Sequence, residues 1–259
     1  MSKQPIGIFD SGVGGTSIWK EINSLLPFEN TIYLADSKNA PYGLKGKKRI
    51  EELSKKNVEL LLDKNCKLIV VACNTATTNA VKLLRNKYNI PFIGIEPAIK
   101  PAALQTKTKA IGILATKGTL TSDLFHKTTN LFGNGIPIIE QEGEGIVQLI
   151  ETGKLYSEEM KGLLNIYLKP MIEANIDRLV LGCTHYPYLM PILLEILPKH
   201  VKIIDSGEAV ARQTKAVLEK HQLLNTSKVK AKHQFYTNGN PKVMSELLDN
   251  AYEVKYLRF

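Results

Sequence analysis

Short apolar runs alternate with helix-forming stretches along most of this chain, and that alternation constrains the fold more than any other feature of the sequence. The runs are rich in valine and isoleucine and lack polar alternation, which is typical of parallel strands covered on both faces. Strands that alternate with helices form βαβ units, so the sequence predicts an α/β fold. The predicted strands are 6–9, 31–34, 67–72, 92–95, 110–114, 136–139, 178–181 and 201–204, and the main predicted helices are 47–62, 77–87, 157–174 and 208–220.

The chain also carries a faint internal repeat, in which 70–75 (VVACNT) aligns with 180–185 (VLGCTH) and 6–9 aligns with 111–114. Ligand sites in open α/β sheets lie beyond the carboxyl ends of the strands, so two cysteines at equivalent strand ends would converge on one cleft. We therefore expect two pseudo-symmetric α/β domains with mostly parallel central sheets facing a shared cleft. The first domain is predicted at 1–97 plus 208–259, with a terminal strand at 234–236 and a helix at 241–250, and the second at 98–207.

The composition excludes several classes of protein. Hydrophobic residues make up 44% and charged residues 23% of the 259 positions, which is ordinary for a folded globular protein. The first residues lack the apolar stretch of a secretory leader, and the longest apolar runs are too short to span a bilayer, so we expect a cytoplasmic protein without membrane contact. The net charge of +9 raises the alternative of a nucleic-acid-associated protein, but the scattered lysines favour a solvated basic surface that attracts an anionic substrate.

The three cysteines have neither the spacing of a zinc or redox motif nor the pattern of a disulfide framework, so we predict free thiols and no metal. Cys66 fits the role of a small buried hydrophobic residue. Cys73 instead ends an apolar run and is followed by Asn74 and Thr75, which indicates a strand end that opens into a polar site. A helix N-terminus at that point would favour the thiolate, so we expect a lowered pKa for Cys73.

Two further segments carry chemistry. The glycine-rich segment 10–16 (DSGVGGT) follows the first strand and suits either an anion-binding loop or a plain turn, and it fits neither the Walker nor the dinucleotide pattern. His185 lies two residues after Cys183, where an imidazole can hold or relay the thiol proton. Two opposed thiols suit inversion of a carbon centre by proton transfer, because one base is needed on each face. No lysine has a pyridoxal-phosphate context, so we expect no cofactor.

Five segments together resemble the aspartate/glutamate racemase family, and within it the glutamate racemases of bacteria. The resemblance implies cofactor-independent interconversion of L- and D-glutamate, which supplies D-glutamate for peptidoglycan synthesis, and it suggests a homodimer. The chain departs from the family at 141–147 (QEGEGIV), where many relatives carry a Cys-Pro tract. The five segments, in the order and at the spacing of that family, are FDSGVGG (9–15), APYG (40–43), VACNTA (71–76), IEP (95–97) and LGCTH (181–185).

The matching positions imply a role for each site residue. Cys73 would exchange the α-proton on the D-glutamate side, assisted by Asp10, and Cys183 would do so on the L-glutamate side, assisted by His185. Glu151 falls where some members have an auxiliary acid, although a lone glutamate on a helix face is usually solvated. The implied substrate contacts are Asp10, Ser11, Pro41, Tyr42, Gly43, Asn74, Thr75, Thr116, Thr119, Thr184 and His185.

Three rival functions make different predictions. An aspartate racemase would share the fold and both thiols, but relatives with that activity usually have a glutamate after Cys-Thr, where this chain has His185. A binding protein that clamps an amino acid or a phosphorylated metabolite would keep its affinity when Cys73 and Cys183 are replaced by serine, whereas racemisation would collapse. A nucleic-acid-associated protein would bind DNA with a steep salt dependence.

Overall fold

The computed structural model describes residues 2–133 and 135–259, which form two parallel sheets flanked by helices. Every predicted strand is present, and a further short strand follows near the C-terminal end. The strands are β1 (Ile6–Asp10), β2 (Thr31–Ala35), β3 (Leu68–Val71), β4 (Phe92–Gly94), β5 (Ile111–Ala115), β6 (Ile138–Glu142), β7 (Arg178–Gly182), β8 (Lys202–Ile204), β9 (His233–Thr237) and β10 (Val254–Tyr256).

The two sheets share one arrangement of four strands. The first runs β10-β9-β2-β1-β3-β4 and the second runs β6-β5-β7-β8, and every neighbouring pair is parallel. The order β2-β1-β3-β4 in the first sheet therefore corresponds to β6-β5-β7-β8 in the second, so β1 is equivalent to β5 and β3 to β7. The α/β fold and the two facing sheets predicted from the sequence are confirmed. Cys73 follows β3 and Cys183 follows β7, which are the equivalent third strands.

The helices cover the sheet faces, and local capping explains where several of them begin and end. The helix predicted at 77–87 begins earlier, at Asn74, because the thiol of Cys73 accepts a hydrogen bond from the amide of Ala76. The terminal helix predicted at 241–250 ends sooner, since Asp249 and Asn250 adopt φ values of 57° and 54°. The helices are α1 (Thr16–Leu25), α2 (Lys47–Asp63), α3 (Asn74–Lys87), α4 (Ile99–Gln105), α5 (Lys117–Leu120), α6 (Asp123–Phe132), α7 (Ile146–Glu151), α8 (Glu158–Glu173), α9 (Met190–Ile196), α10 (Gly207–Lys220) and α11 (Pro241–Leu247).

The central strands form the core of each half, since all positions of β1, β3, β5 and β7 are buried. Strands β9 and β10 come from the C-terminal part of the chain but join the first sheet, while β5 to β8 make up the second. This membership supports the domain division at 97/98 and 207/208, which stays a prediction. Across the part of the chain that the structure describes, no helix is both long and apolar enough to cross a membrane.

Candidate active site

The carboxyl ends of the two sheets enclose a small pocket that both strand-end thiols line. Cys73 and Cys183 are only 4% and 9% exposed, so they reach the pocket and almost no bulk solvent. The pocket has about 240 Å³ of space not filled by protein atoms, part of which is open to solvent, so it suits a small molecule and not a large one. Its lining consists of Ser11, Pro41, Tyr42, Gly43, Cys73, Asn74, Thr75, Thr116, Val147, Gly182, Cys183 and Thr184.

Most of the site residues predicted from the sequence line this pocket, and the others lie directly behind its lining residues. Asp10 and His185 are outside the lining and contact the lining residues Thr184 and Cys183, and Glu151 lies behind His185. Thr119 is fully buried beside the lining hydroxyls of Thr75 and Thr116. Val147, in the segment where the chain departs from the family pattern, lines the pocket, so that segment forms part of the cleft wall.

On the first side of the pocket, Cys73 is linked to a buried carboxylate through a hydroxyl group. Its Sγ lies 3.6 Å from Oγ of Ser11, which in turn lies 3.4 Å from Oδ1 of Asp10. The other carboxylate oxygen, Oδ2, accepts hydrogen bonds from the amide of Gly15 at 2.8 Å and from Oγ1 of Thr184 at 3.3 Å. Asp10 is thus fixed at the junction of the two halves and is placed to act on Cys73 by way of Ser11.

The expectation of a lowered pKa for Cys73 is wrong. Burial raises the pKa of this thiol well above its ordinary value, and the negative charge of Asp10 raises it further. The amide of Ala76 and the hydroxyl of Ser11 act in the opposite direction, as the helix N-terminus argument requires, but they do not offset the loss of water. Burial also raises the pKa of Asp10, although the charge of His185 partly opposes this. Cys73 in the closed pocket is therefore a thiol rather than a thiolate.

On the second side, Cys183 contacts an imidazole that is itself held by a carboxylate. Sγ of Cys183 lies 3.7 Å from Nδ1 of His185, and Nε2 of the same ring lies 2.6 Å from Oε1 of Glu151. Glu151 also accepts a hydrogen bond from the amide of Val13 at 2.7 Å. Its side chain is only 10% exposed, so the interpretation of Glu151 as a solvated residue on a helix face is wrong.

The ring of His185 is placed to exchange a proton with Cys183. Burial by itself lowers the pKa of His185, but the hydrogen bonds and charges of Cys183 and Glu151 outweigh it, and the pKa is raised well above its ordinary value. When both ring nitrogens carry a proton, Nε2–H donates to Oε1 of Glu151 and Nδ1–H faces Sγ of Cys183. The amide of Gly14 also faces Nε2 at 3.2 Å and becomes its donor when that nitrogen is unprotonated.

The polar lining offers unused hydrogen-bonding groups. Both amide atoms of Asn74 are buried, and neither has a partner within 2–133 and 135–259. A buried amide without partners costs free energy, which a bound ligand would recover. Beside it, the hydroxyl oxygens of Thr75, Thr116 and Thr119 form a triangle with sides of 2.8, 3.1 and 3.3 Å. The hydroxyl and amide hydrogens of this cluster can donate to the carboxylates of an amino acid, and its oxygen atoms can accept hydrogen bonds from the ammonium.

A buried carboxylate that the sequence analysis did not single out lies behind the loop at Tyr42. Oδ2 of Asp36 accepts a hydrogen bond from the Tyr42 hydroxyl at 2.6 Å, and Asn238 donates to Oδ1 at 2.5 Å. Asn57 donates to the same Tyr42 hydroxyl at 3.1 Å, so this hydroxyl faces the protein interior and not a substrate. Asp36 directly follows β2, and a polar residue at a strand end was the signal that could have identified it.

We expect the Asp36→Asn variant to lose about tenfold to a hundredfold in kcat/KM, because the loop carrying Tyr42 would no longer be held against the pocket. Initial rates and thermal unfolding of the variant and the wild type provide the measurement. Asp63→Asn, which changes an exposed carboxylate in the same half, is the matched control and should leave both quantities unchanged. Wild-type kcat/KM in Asp36→Asn would show that this network has no influence on the pocket.

The chain is similar to known racemases along most of its length. The Asp/Glu/hydantoin racemase family model matches residues 6–214. The glutamate racemase of Herpetosiphon aurantiacus is 42% identical over 241 residues, which cover 93% of this chain and 95% of that protein. The crystal structure of a glutamate racemase isoform from Bacillus anthracis is 29% identical with a TM-score of 0.88, covering 100% of this chain and 98% of that one. The Escherichia coli glutamate racemase in complex with L-glutamate and the activator UDP-MurNAc-Ala is 34% identical with a TM-score of 0.87, covering 98% and 97%.

Proposed function

The chain belongs to the Asp/Glu/hydantoin racemase family, and we propose that it exchanges the α-proton of glutamate between Cys73 and Cys183 across the enclosed pocket. Its activity is the interconversion of L- and D-glutamate, which supplies D-glutamate for peptidoglycan synthesis. The observation that carries the assignment of the site is the convergence of two buried thiols, at equivalent strand ends, on one small pocket. Each thiol has its own acid/base partner, which a protein that only binds an amino acid would not need.

From L-glutamate, the thiolate of Cys183 removes the α-proton and becomes a thiol. The electron pair of the broken C–H bond moves into the α-carboxylate, and the thiol proton of Cys73 is then delivered to the opposite face of the α-carbon. Cys73 leaves this turnover as a thiolate and Cys183 as a thiol, so the same steps in reverse convert D-glutamate to L-glutamate. The raised pKa values of Cys73 and His185 favour a thiol at Cys73 and an imidazolium beside Cys183, which is the protonation state from which L-glutamate reacts.

The remaining site residues bind the substrate or orient the thiols. We assign the two carboxylates and the ammonium of glutamate to Asn74, to the hydroxyls of the threonine triangle and to Thr184, since these groups line or back the pocket. Ser11 and the main chain of 41–43 complete the wall on the side of Cys73. Asp10, His185 and Glu151 act through the thiols, because none of them lines the pocket.

The test of this function follows the circular dichroism of L-glutamate in D2O with the purified protein and no added cofactor, with mass spectrometry of the α-carbon. Decay of the signal to zero, with solvent deuterium in the product, is the expected result. The circular dichroism of L-aspartate should stay constant under the same conditions. If the L-aspartate signal decays and the L-glutamate signal does not, the chain is an aspartate racemase. A constant signal with both, from a folded and reduced sample, would favour the binding-protein alternative.

The pH dependence should reflect the raised pKa values of His185 and Cys73. Both groups must carry a proton when the reaction starts from L-glutamate, and raised pKa values keep them protonated at higher pH. We therefore expect kcat/KM to stay constant as the pH rises through about 6.5, which is the ordinary pKa of histidine. It should fall only in the alkaline range. Rates from L- and D-glutamate should fall in parallel, because enantiomers have equal free energies. A decline centred near pH 6.5 would contradict the proposed state of His185.

We also propose a cytoplasmic location and a homodimeric assembly, both of which rest on the resemblance to the family. Light scattering of the purified protein at micromolar concentration tests the assembly, and a monomer mass there would refute it. Fractionation of cells that express the tagged protein tests the location.

A further inference from the structure

We propose that Asn79 and Gly118 form a latch that holds the two halves closed over the pocket and positions Thr75 and Thr116 against the bound glutamate. This inference rests on the proposed function, because it takes the pocket between the thiols as the glutamate site. Asn79 lies on α3, which begins after Cys73, and Gly118 lies on α5 of the opposite half. The two residues are therefore positioning residues and do not touch the reacting atoms.

The side-chain amide of Asn79 bridges the two halves. Its Nδ2 donates to the carbonyl oxygen of Gly118 at 3.0 Å and to that of Thr75 at 2.9 Å. It also lies 3.2 Å from Oγ1 of Thr78. Because Thr75 lines the pocket, one amide group connects the pocket wall on α3 to the first turn of α5. Movement of α5 away from α3 would break this hydrogen bond and separate Thr75 from Thr116.

The same contact brings together the main chains of two glycines, one from each half. A Cβ atom at Gly118 would come within 3.0 Å of Cα of Gly43 and 2.8 Å of Cγ2 of Thr75. A Cβ atom at Gly43 would come within 2.8 Å of Cβ of Thr116. No side chain fits between these backbones, so the closed arrangement depends on glycine at both positions.

This contact lies where the pocket meets the surface. An outer groove of about 270 Å³ shares Pro41, Gly43, Thr116 and Val147 with the pocket. On the far side of the contact, a solvent-facing groove of about 940 Å³ is lined by Gly43, Asn79 and Gly118. Separation of Gly43 from the start of α5 would join the pocket to these grooves. The opening formed in this way is the route by which glutamate would enter and leave.

The latch can be tested through the reactivity of the cysteines, without reference to catalysis. Both pocket thiols are nearly inaccessible in the closed state, so alkylation requires opening and its rate follows the open fraction. Cys66 provides an internal reference, because it is buried at the opposite end of β3 and burial raises its pKa to about 12. Alkylation of Cys66 therefore reports unfolding, while alkylation of the pocket thiols reports opening.

The experiment measures iodoacetamide alkylation at each cysteine by peptide mass spectrometry. For Asn79→Ala we expect rates at Cys73 and Cys183 about threefold to tenfold above wild type, the effect of one lost hydrogen bond, with Cys66 unchanged. Asn86→Ala, which removes an exposed amide from the same helix, is the control and should react like wild type. Gly118→Ala should raise the same two rates by a different route, since its methyl group keeps the backbones apart.

Two results would overturn the latch. The first is that both variants, Asn79→Ala and Gly118→Ala, have the wild-type alkylation rate at the two pocket thiols. The second is a parallel rise at all three cysteines, which would mean general loss of stability. Saturating D-glutamate should slow alkylation of the pocket thiols in the wild type. Both variants should have a higher KM for glutamate than the wild type. If racemisation of glutamate is absent while the alkylation pattern holds, the proposed function fails and the latch stands as a property of the fold.

Discussion

Replacement of either pocket thiol by a hydroxyl, in Cys73→Ser or Cys183→Ser, will lower the rate of glutamate racemisation at least about a thousandfold. A serine hydroxyl is a far weaker acid than a thiol, and burial weakens it further by excluding the water that would solvate its anion. Both substitutions keep the size of the side chain, so the pocket should remain closed. Circular dichroism of L- and D-glutamate gives the rates, and thermal unfolding shows whether each variant is folded.

The two variants should differ in the enantiomer whose α-proton they still exchange with D2O. Cys183→Ser retains Cys73 and should exchange slowly with D-glutamate, because the remaining thiol can remove and return a proton on one face. Cys73→Ser retains Cys183 and should exchange only with L-glutamate. Cys66→Ala, which changes the third thiol far from the pocket, should racemise normally. Exchange of both enantiomers by either serine variant would contradict the assignment of one thiol to each face.

The His185→Asn variant should lose about a hundredfold to ten-thousandfold in kcat/KM, equally in both directions. Asparagine cannot accept and return the proton of Cys183, so proton transfer at this thiol becomes the slower of the two transfers. The contact with Glu151 at 2.6 Å would also be lost, and a buried carboxylate would remain with fewer donors. Glu151→Gln should show a weaker form of the same defect, since it leaves the imidazole in place.

Deuterium isotope effects on kcat/KM distinguish this role from a general disturbance of the pocket. In His185→Asn, α-deuterated L-glutamate should give a larger isotope effect than in the wild type, and α-deuterated D-glutamate a smaller one. Asp10→Asn should give the mirror image, because Asp10 is linked to Cys73 through Ser11. A merely structural defect would change both isotope effects alike, and that outcome would refute separate assistance of the two thiols.

The sequence was most informative where function depends on strand ends. Cys73 and Cys183 each follow an apolar run, and the carboxyl ends of parallel strands lie at one edge of a sheet, so local sequence predicted a strand-end position for each thiol. The same argument would have identified Asp36, which directly follows β2. The roles inferred for Asp10 and His185 from the family resemblance stay predictions, although His185 contacts Cys183 and Asp10 is linked to Cys73 through Ser11.

The sequence by itself determined the α/β fold and the two repeated halves, because periodicity and strand-end chemistry are local properties of the chain. Only the tertiary structure decided the burial of Cys73, and burial outweighs the helix N-terminus and raises the pKa of the thiol. It also decided that Glu151 meets His185 and that Asn79 meets Gly118, since each pair joins residues distant in sequence. Contacts of that kind depend on how the two halves pack, and packing sets both the distance between charges and their access to water.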